Sequence, residues 1–498
     1  MTEETPTPIQ PSLKFQELGE LLLSLNDDSN VQYINNMMER CSLNLSTLTR
    51  LDEDPTDIIT AIKSVLLSDS HHETFDYEEL LTLLDNIMTL CSFETIVKIY
   101  TIEDVVLALN SRISHLVRTA CKVISRVEPL NYLVTVEQKH GLLSIFMDVY
   151  FDKETDLTVI SDMEGVLRIL SKDDDIRRFI LNEKSELLQR VKANGESLAM
   201  SRLLELLTIE INEISNATEL DDQIFIFSVT DILAMLETDY FDFINFLRYI
   251  ITVFEVINSR AREITFADSV NHDFADALFQ KFSYVIPVIG NIWKENTADV
   301  ALLAKSYFFR FFELVSYLPV LDYFKQLDHE YLTIDYDNKD IIEFLSFVNP
   351  QYLTNNCEEL VSNYVKVIPS HLTILRNLIS TSDSFALIKS KLTPSAVSVL
   401  PYFEQMVLLE KMTQFEYSTK FLSSYLPQAM TNLINDGDVI NIVEPETVEL
   451  RNTVIRNILQ FPETDLHQWY IPLTNELLRI NNPGTATVPG TKIEEVFL

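Results

Sequence analysis

Glycine is scarce in this chain, with 8 in 498 residues. That scarcity excludes glycine-rich phosphate loops, Rossmann turns and bulge-rich barrels, all of which need left-handed backbone or close backbone approach. Cysteine is scarce too. Cys41, Cys91, Cys121 and Cys357 lie far apart, form no CxxC pair and sit in apolar helical contexts. Four buried, reduced thiols are expected, rather than a zinc ribbon or a thioredoxin motif. Positive charge is short: 38 Lys and Arg stand against 75 Asp and Glu, a net −37. Such a surface repels polyanions, which disfavours direct binding to duplex DNA and favours a basic or neutral protein partner. Long apolar runs are missing. Arg248 and Glu255 break one stretch, and Lys305, Arg310 and Glu313 break another, so no membrane span is expected. Met1–Glu4 is acidic and lacks the apolar run of a secretory signal. The expected compartment is the cytoplasm, with the nucleus as a second location. Strand signals are few, since no Asn-Gly hairpin or sustained alternation occurs.

What is present is amphipathic helix. In Ile113–Val127, Leu116, Val117, Ala120, Val123, Ile124 and Val127 fall on one stripe, and Arg118, Lys122 and Arg126 on the other side. Variants recur at Arg202–Ile214, Phe243–Ile257, Val300–Val315, Ile374–Leu387 and Leu450–Leu459. A helix pair stacked on copies of itself makes a solenoid. The expected fold is therefore an all-α HEAT/armadillo-like solenoid of roughly eleven helical repeats of ~43 residues. One continuous array over 12–481 is expected between short flexible tails, 1–11 and 482–498. Ser12 reads as the first N-cap, Pro287 should split the pattern over Asn271–Trp293, and Tyr331–Asp340 reads as a loop.

The chemistry of sites is thin. His329-Glu330 begins like a zincin motif, but Thr333 stands where the second histidine belongs. His71-His72 points to opposite sides of a helix. Asp173–Asp175 and Glu219–Asp222 lack calcium-loop spacing and suit helix starts, where carboxylates meet the positive end of the dipole. No Walker loop, nucleophile elbow or kinase set occurs, so neither an enzyme nor a bound cofactor or metal is expected.

Two arrangements are more informative. Leu375-Arg376-Asn377-Leu378 and Ile455-Arg456-Asn457-Ile458 repeat one pattern, and Leu450-Arg451-Asn452 is close to it. An Asn there can bond a partner's backbone or a neighbouring turn. Aromatic residues crowd Tyr240–Phe246 and Tyr307–Phe312. Neighbouring positions turn by about 100° on a helix, so these cannot all face one stripe. They face either the next repeat, the favoured reading, or an exposed groove.

Specific runs then carry a resemblance. RCSLNL at Arg40–Leu45, NPQYL at Asn349–Leu353, LRNL at Leu375–Leu378, LPYFEQM at Leu400–Met406, EYSTKFL at Glu416–Leu422 and ETVELRNTVIRNIL at Glu446–Leu459 come in order. They resemble the fungal chaperone family that assembles the base of the proteasome regulatory particle, a family also catalogued with DNA mismatch repair proteins. The tail Val496-Phe497-Leu498 resembles a motif that docks on proteasome cores. The resemblance implies a C-shaped array whose concave face binds the C-terminal domain of one AAA ATPase subunit. It further implies a transient module with a second ATPase and a large non-ATPase subunit. Any link to mismatch repair would be indirect. A nuclear transport adaptor, or another repeat scaffold, is the alternative. With only Trp293 and Trp469, the chain lacks an adaptor's Trp/Asn ladder. The expected docking face lies on inner helices within Ser197–Ser316. The candidate contacts are Glu210, Glu213, Asp239, Asp242, Glu255 and Glu313, with Tyr307 and Phe309 as apolar anchors and Asn377 and Asn457 further along.

Overall fold

A computed structural model describes residues 14–25, 29–51, 53–68, 74–262, 269–295, 303–319, 321–335, 339–434 and 444–481. Every regular element among them is helical. Ser12, both expected tails, His71, His72 and Asn435–Asp438 lie outside the described residues. Packing divides the chain into two compact units, Met1–Phe282 and Ser283–Leu498, a division that falls inside the expected 12–481 array.

In the first unit one layer is a ladder of six helices: α1 (Val31–Leu45), α2 (Tyr77–Thr89), α3 (Ser114–Ile124), α4 (Leu157–Leu170), α5 (Ser197–Glu213) and α6 (Tyr240–Arg262). Each packs on the next. The starts are set locally. The Asn30, Asp76 and Asp156 side chains accept from the backbone amides of Tyr33, Glu79 and Thr158, satisfying amides that a helix leaves open at its first turn. The second layer includes Phe15–Leu23, packed on Thr56–Leu66, and Ile102–Ser111, packed on Leu142–Tyr150. Gly141 (φ 64°) makes the left-handed turn between Tyr132–His140 and Leu142–Tyr150. Between the layers run Val117, Ala120, Val123, Leu167, Leu203, Leu206, Phe246 and Val253, all buried. Buried Arg202 stitches repeats together by donating to the carbonyls of Tyr150, Asp152 and Thr155, at 2.8, 2.7 and 3.1 Å.

The second unit continues with α7 (Lys305–Ser316), α8 (Lys339–Phe344), α9 (Leu372–Leu378), α10 (Tyr402–Met412), α11 (Pro445–Ile458) and α12 (Tyr470–Asn481). Trp293, on Val285–Glu295, sits 5.5–5.9 Å from the rings of Phe308, Phe309 and Phe312. Phe308, Phe309, Phe311 and Phe312 are all buried, so the aromatic crowd packs against neighbouring helices. α12 is held on α11 by a buried pair, Arg451 Nη2 to Glu476 Oε1 at 2.6 Å, and Arg451 also donates to the Leu433 carbonyl.

Several sequence boundaries shift. The Asn271–Trp293 pattern does split, into Ser269–Phe282 and Val285–Glu295. Pro287 lies in the first turn of the second helix, where its missing amide hydrogen costs nothing. The apolar stretch over 222–238 forms two helices, Asp222–Phe225 and Val229–Thr238, because Ser228 and Asp231 form a capping box that starts the second. The expected Tyr331–Asp340 loop begins inside one turn of π-helix, Asp328–Leu332, and ends inside α8, while residues 336–338 lie outside the described residues.

Candidate partner-binding grooves

In the second unit the sequence builds a groove around one exposed ring. The turn after α8 buries Leu345 and Val348 completely, which rotates Phe347 outward to 44% exposure. Asn377 on α9 pins that turn, its amide donating to the carbonyls of Leu345 (2.8 Å) and Val348 (2.7 Å). Of the two readings for the repeated Asn, the bond to a neighbouring turn is the one seen. Asn457 likewise points inward, to the Thr413 hydroxyl at 3.4 Å.

Phe347 separates two hollows that also share Glu343. One, of about 470 Å³, is lined by Lys305, Arg310 and Glu313 on α7. The other, of about 400 Å³, is lined by Arg376 and Asn377 on α9 and Lys411 on α10. Lys305 pairs with Glu343 at 2.8 Å, Arg310 with Glu313 at 2.9 Å and Arg376 with Glu410 at 3.1 Å. Lys411 stands over the Phe415 ring, and burial and the neighbouring Arg376 hold its amine below the usual lysine range. Lys305, Arg310, Arg376 and Lys411 stand against Glu313, Glu343 and the adjoining Glu410, so the groove carries a small positive excess with three of its four cations paired.

The first unit carries an alternating charge ladder. Arg118 on α3 reaches Glu78 on α2 and, at 2.8 Å, Asp162 on α4. Arg126 meets Asp85 at 3.1 Å. Arg168 on α4 meets Glu205 on α5 at 2.6 Å, and Glu205 meets Arg248 on α6 at 3.6 Å. Burial and the Glu205 charge raise the Glu164 carboxyl at its edge.

The expected contacts fare unevenly. Glu210 is no rim carboxylate. It is fully buried, with Oε1 accepting from Ser171 Oγ at 2.7 Å, and burial pushes its carboxyl up to about 7. Asp242 is also buried, and its carboxyl is pushed up to about 6 by burial, partly offset by the Ser197 hydroxyl. Phe309 cannot anchor a partner, because its ring is buried 5.1 Å from Phe344. Glu213, Asp239, Glu255, Tyr307 and Glu313 are half-buried at the surface. Of the expected set, only Glu313 and Asn377 join the Phe347 groove with accessible side chains; Phe309 forms part of its buried wall. Phe347, Arg376 and Lys411 were missed. Phe347 falls among Phe344, Leu345 and Val348, so spacing alone marks it as core.

A helical-repeat array presenting charged grooves of this kind is a protein-interaction scaffold. The chain belongs to the family described as DNA mismatch repair protein HSM3, whose N-terminal domain matches residues 16–255 and whose C-terminal domain matches 275–498. Proteins of that description from Eremothecium gossypii and Saccharomyces cerevisiae are each 33% identical, covering 96% of this chain and 97% of the relative. The one from Candida glabrata is 31% identical, covering 97% and 98%. Among solved structures, a chain from the complex of Kap95p with RanGDP is similar at 11% identity and a TM-score of 0.38, covering 95% of this chain and 60% of that one.

Proposed function

We propose that this protein is an assembly chaperone for the base of the proteasome regulatory particle, a binding protein rather than an enzyme. It holds the C-terminal domain of one AAA ATPase subunit at the Phe347 groove of its second unit, within a module with a second ATPase and a large non-ATPase subunit. The identity of the partner rests on the ordered motif resemblance from Arg40 to Leu459. The docking role rests on one observation: an exposed Phe347 flanked by Lys305, Arg310, Arg376 and Lys411 in a chain of net charge −37. An aromatic anchor in a charged rim is the composition of a binding hot spot. The partner's complementary surface then carries an apolar side chain beside carboxylates. Cytoplasmic and nuclear action suits this role. The relatives' name supports a second reading, a part in DNA mismatch repair. With the charge balance against duplex contact, that part runs through protein partners.

The test is calorimetric titration of the full chain with purified C-terminal domains of the base ATPases. One domain should bind. Phe347→Ala should weaken it by about 2 kcal/mol through faster dissociation, and Arg376→Glu with Lys411→Glu should slow association most at low salt. Binding of none of the domains would refute the chaperone reading. Binding that ignores Phe347→Ala would move the site elsewhere.

A further inference from the structure

The first unit holds a cavity of about 250 Å³, lined by the last turn of Thr56–Leu66, by Ile102–Ser111 and by α3. Two small side chains, Ala108 and Ala120, leave the space open, since a longer one at either position would reach into it. Leu66, Val105, Leu116 and Val123 supply carbon walls. Leu67 and Leu107 also line the cavity and are 60% and 68% exposed, so they stand at its mouth. Most of the polar groups lining it are satisfied. Ser111 donates to the Ala108 carbonyl at 2.7 Å and Thr119 to the His115 carbonyl at 2.8 Å. Lys63 donates to the Ile99 carbonyl and to Asp104, both at 2.7 Å. Tyr100 is the exception. It is 6% exposed, and its hydroxyl has no hydrogen-bond partner among the described residues. The Lys63 ammonium stands 5.4 Å from the centre of its ring.

A buried hydroxyl without a partner is costly, and one beside an open apolar cavity has a simple remedy in a ligand. The geometry points to a binding site for a small, rigid, neutral molecule, about two fused rings in size, that carries one hydrogen-bond acceptor for the Tyr100 hydroxyl. Size sets the first limit. An apolar cavity of about 150 Å³ holds a benzene ring, so this larger one takes a second ring. Charge sets the next. Lys63 and Asp104 are the charged side chains among the described residues that line the cavity, and they neutralise each other. An ion would lose its hydration with no net charge to replace it. The acceptor follows from Tyr100. Burial and the Asp104 charge push its phenol up, so the group keeps its proton and donates it. Water fits less well, because it needs two to four polar partners and the walls away from Tyr100, Lys63 and Asp104 are chiefly carbon. This site is independent of the chaperone reading, whose groove lies in the second unit.

The probes are quinoline and naphthalene, which share one shape and differ in a single acceptor nitrogen. Each is titrated with the full chain at neutral pH, where quinoline is uncharged, and followed by ligand-observed NMR. Saturable binding of both is expected, with quinoline about fivefold tighter, the worth of one neutral hydrogen bond. Tyr100→Phe should erase that preference and leave naphthalene within about twofold of its parent affinity. Ala108→Leu should fill the cavity and weaken both probes at least about tenfold. Phe347→Ala, in the other unit, should change neither. Melting curves check that each variant folds. If Ala108→Leu does not fold, the Tyr100→Phe comparison decides the question by itself. Absence of saturable binding would overturn the proposal. So would equal affinity of the two probes for the parent, a preference that survives Tyr100→Phe, or binding that ignores a folded Ala108→Leu.

Discussion

On α5 a single carboxyl group sits out of reach of water. Glu210 takes one hydroxyl donor, Ser171, and its other oxygen has no hydrogen-bond partner among the described residues. Arg177 favours the charged form, while Glu213 and Glu219 oppose it. Burial dominates, so the folded-state pKa of about 7 stands above the ordinary 4.5. The folded chain therefore keeps this proton longer than the unfolded chain does. The stability is present in full below about pH 4.5 and is lost as pH rises through about 7, a change of about 3 kcal/mol for a shift of this size. Glu210→Gln should remove that slope. Parent and variant should melt together near pH 5, and the variant should melt higher near pH 8. Denaturant titration at the two pH values measures the difference directly, and a difference independent of pH would mean that Glu210 stays ionised. The thiols show the same force at work. Burial pushes Cys41 and Cys357 up to about 12 and half-buried Cys91 up to about 11.

At the scale of elements, close approach decides more than helix propensity. A Cβ built on Gly290 would meet Leu327 Cδ1 and the Tyr331 ring at 2.8 Å. Gly290 lies within Val285–Glu295, where any side chain would raise helix propensity by up to about 1 kcal/mol. Overpacking typically costs about 1–3 kcal/mol, so the clash should win for a branched side chain. Gly290→Val is expected to destabilise the second unit by about 2 kcal/mol, measurable by urea unfolding. A more stable variant would show that Leu327 and Tyr331 yield freely. The same contrast explains what could be read in advance. The helices were legible wherever an apolar stripe ran beside a charged face, as in α3. Buried acids were not, because Glu210 and Asp242 carry the same label in a sequence as any rim carboxylate. Only the neighbouring helix, pressed against them, removes their water. Asn377 was recognised as a special position, but its target is two carbonyls of an irregular turn, and the sequence does not show where that turn passes. Phe347 was hidden because its exposure follows from that turn rather than from any periodicity.

At the scale of the whole molecule the question is which electrostatic effect wins. The exposed ion pairs are worth at most about 1 kcal/mol each. Against them stands the mutual repulsion of a chain of net charge −37, which acts over about 30 Å at 0.01 M salt and about 10 Å at 0.1 M. The long-range term should dominate at low ionic strength. Raising NaCl from about 20 mM to 300 mM, which shortens that reach, should raise the melting temperature. A fall would show that the Arg118–Asp162 and Arg168–Glu205 type of pair outweighs the repulsion.

The alternating ladder from Glu78 to Arg248 also has a mechanical consequence. Apolar packing joins the two layers, while these polar links tie neighbouring α2–α6 to one another along a single surface. Flexing the first unit away from that surface would load these links together with the packing between successive helices. Dissolved ions weaken those links and barely touch the interior. The links therefore add a salt-sensitive share to the unit's resistance to bending, beside the salt-insensitive share of its apolar packing.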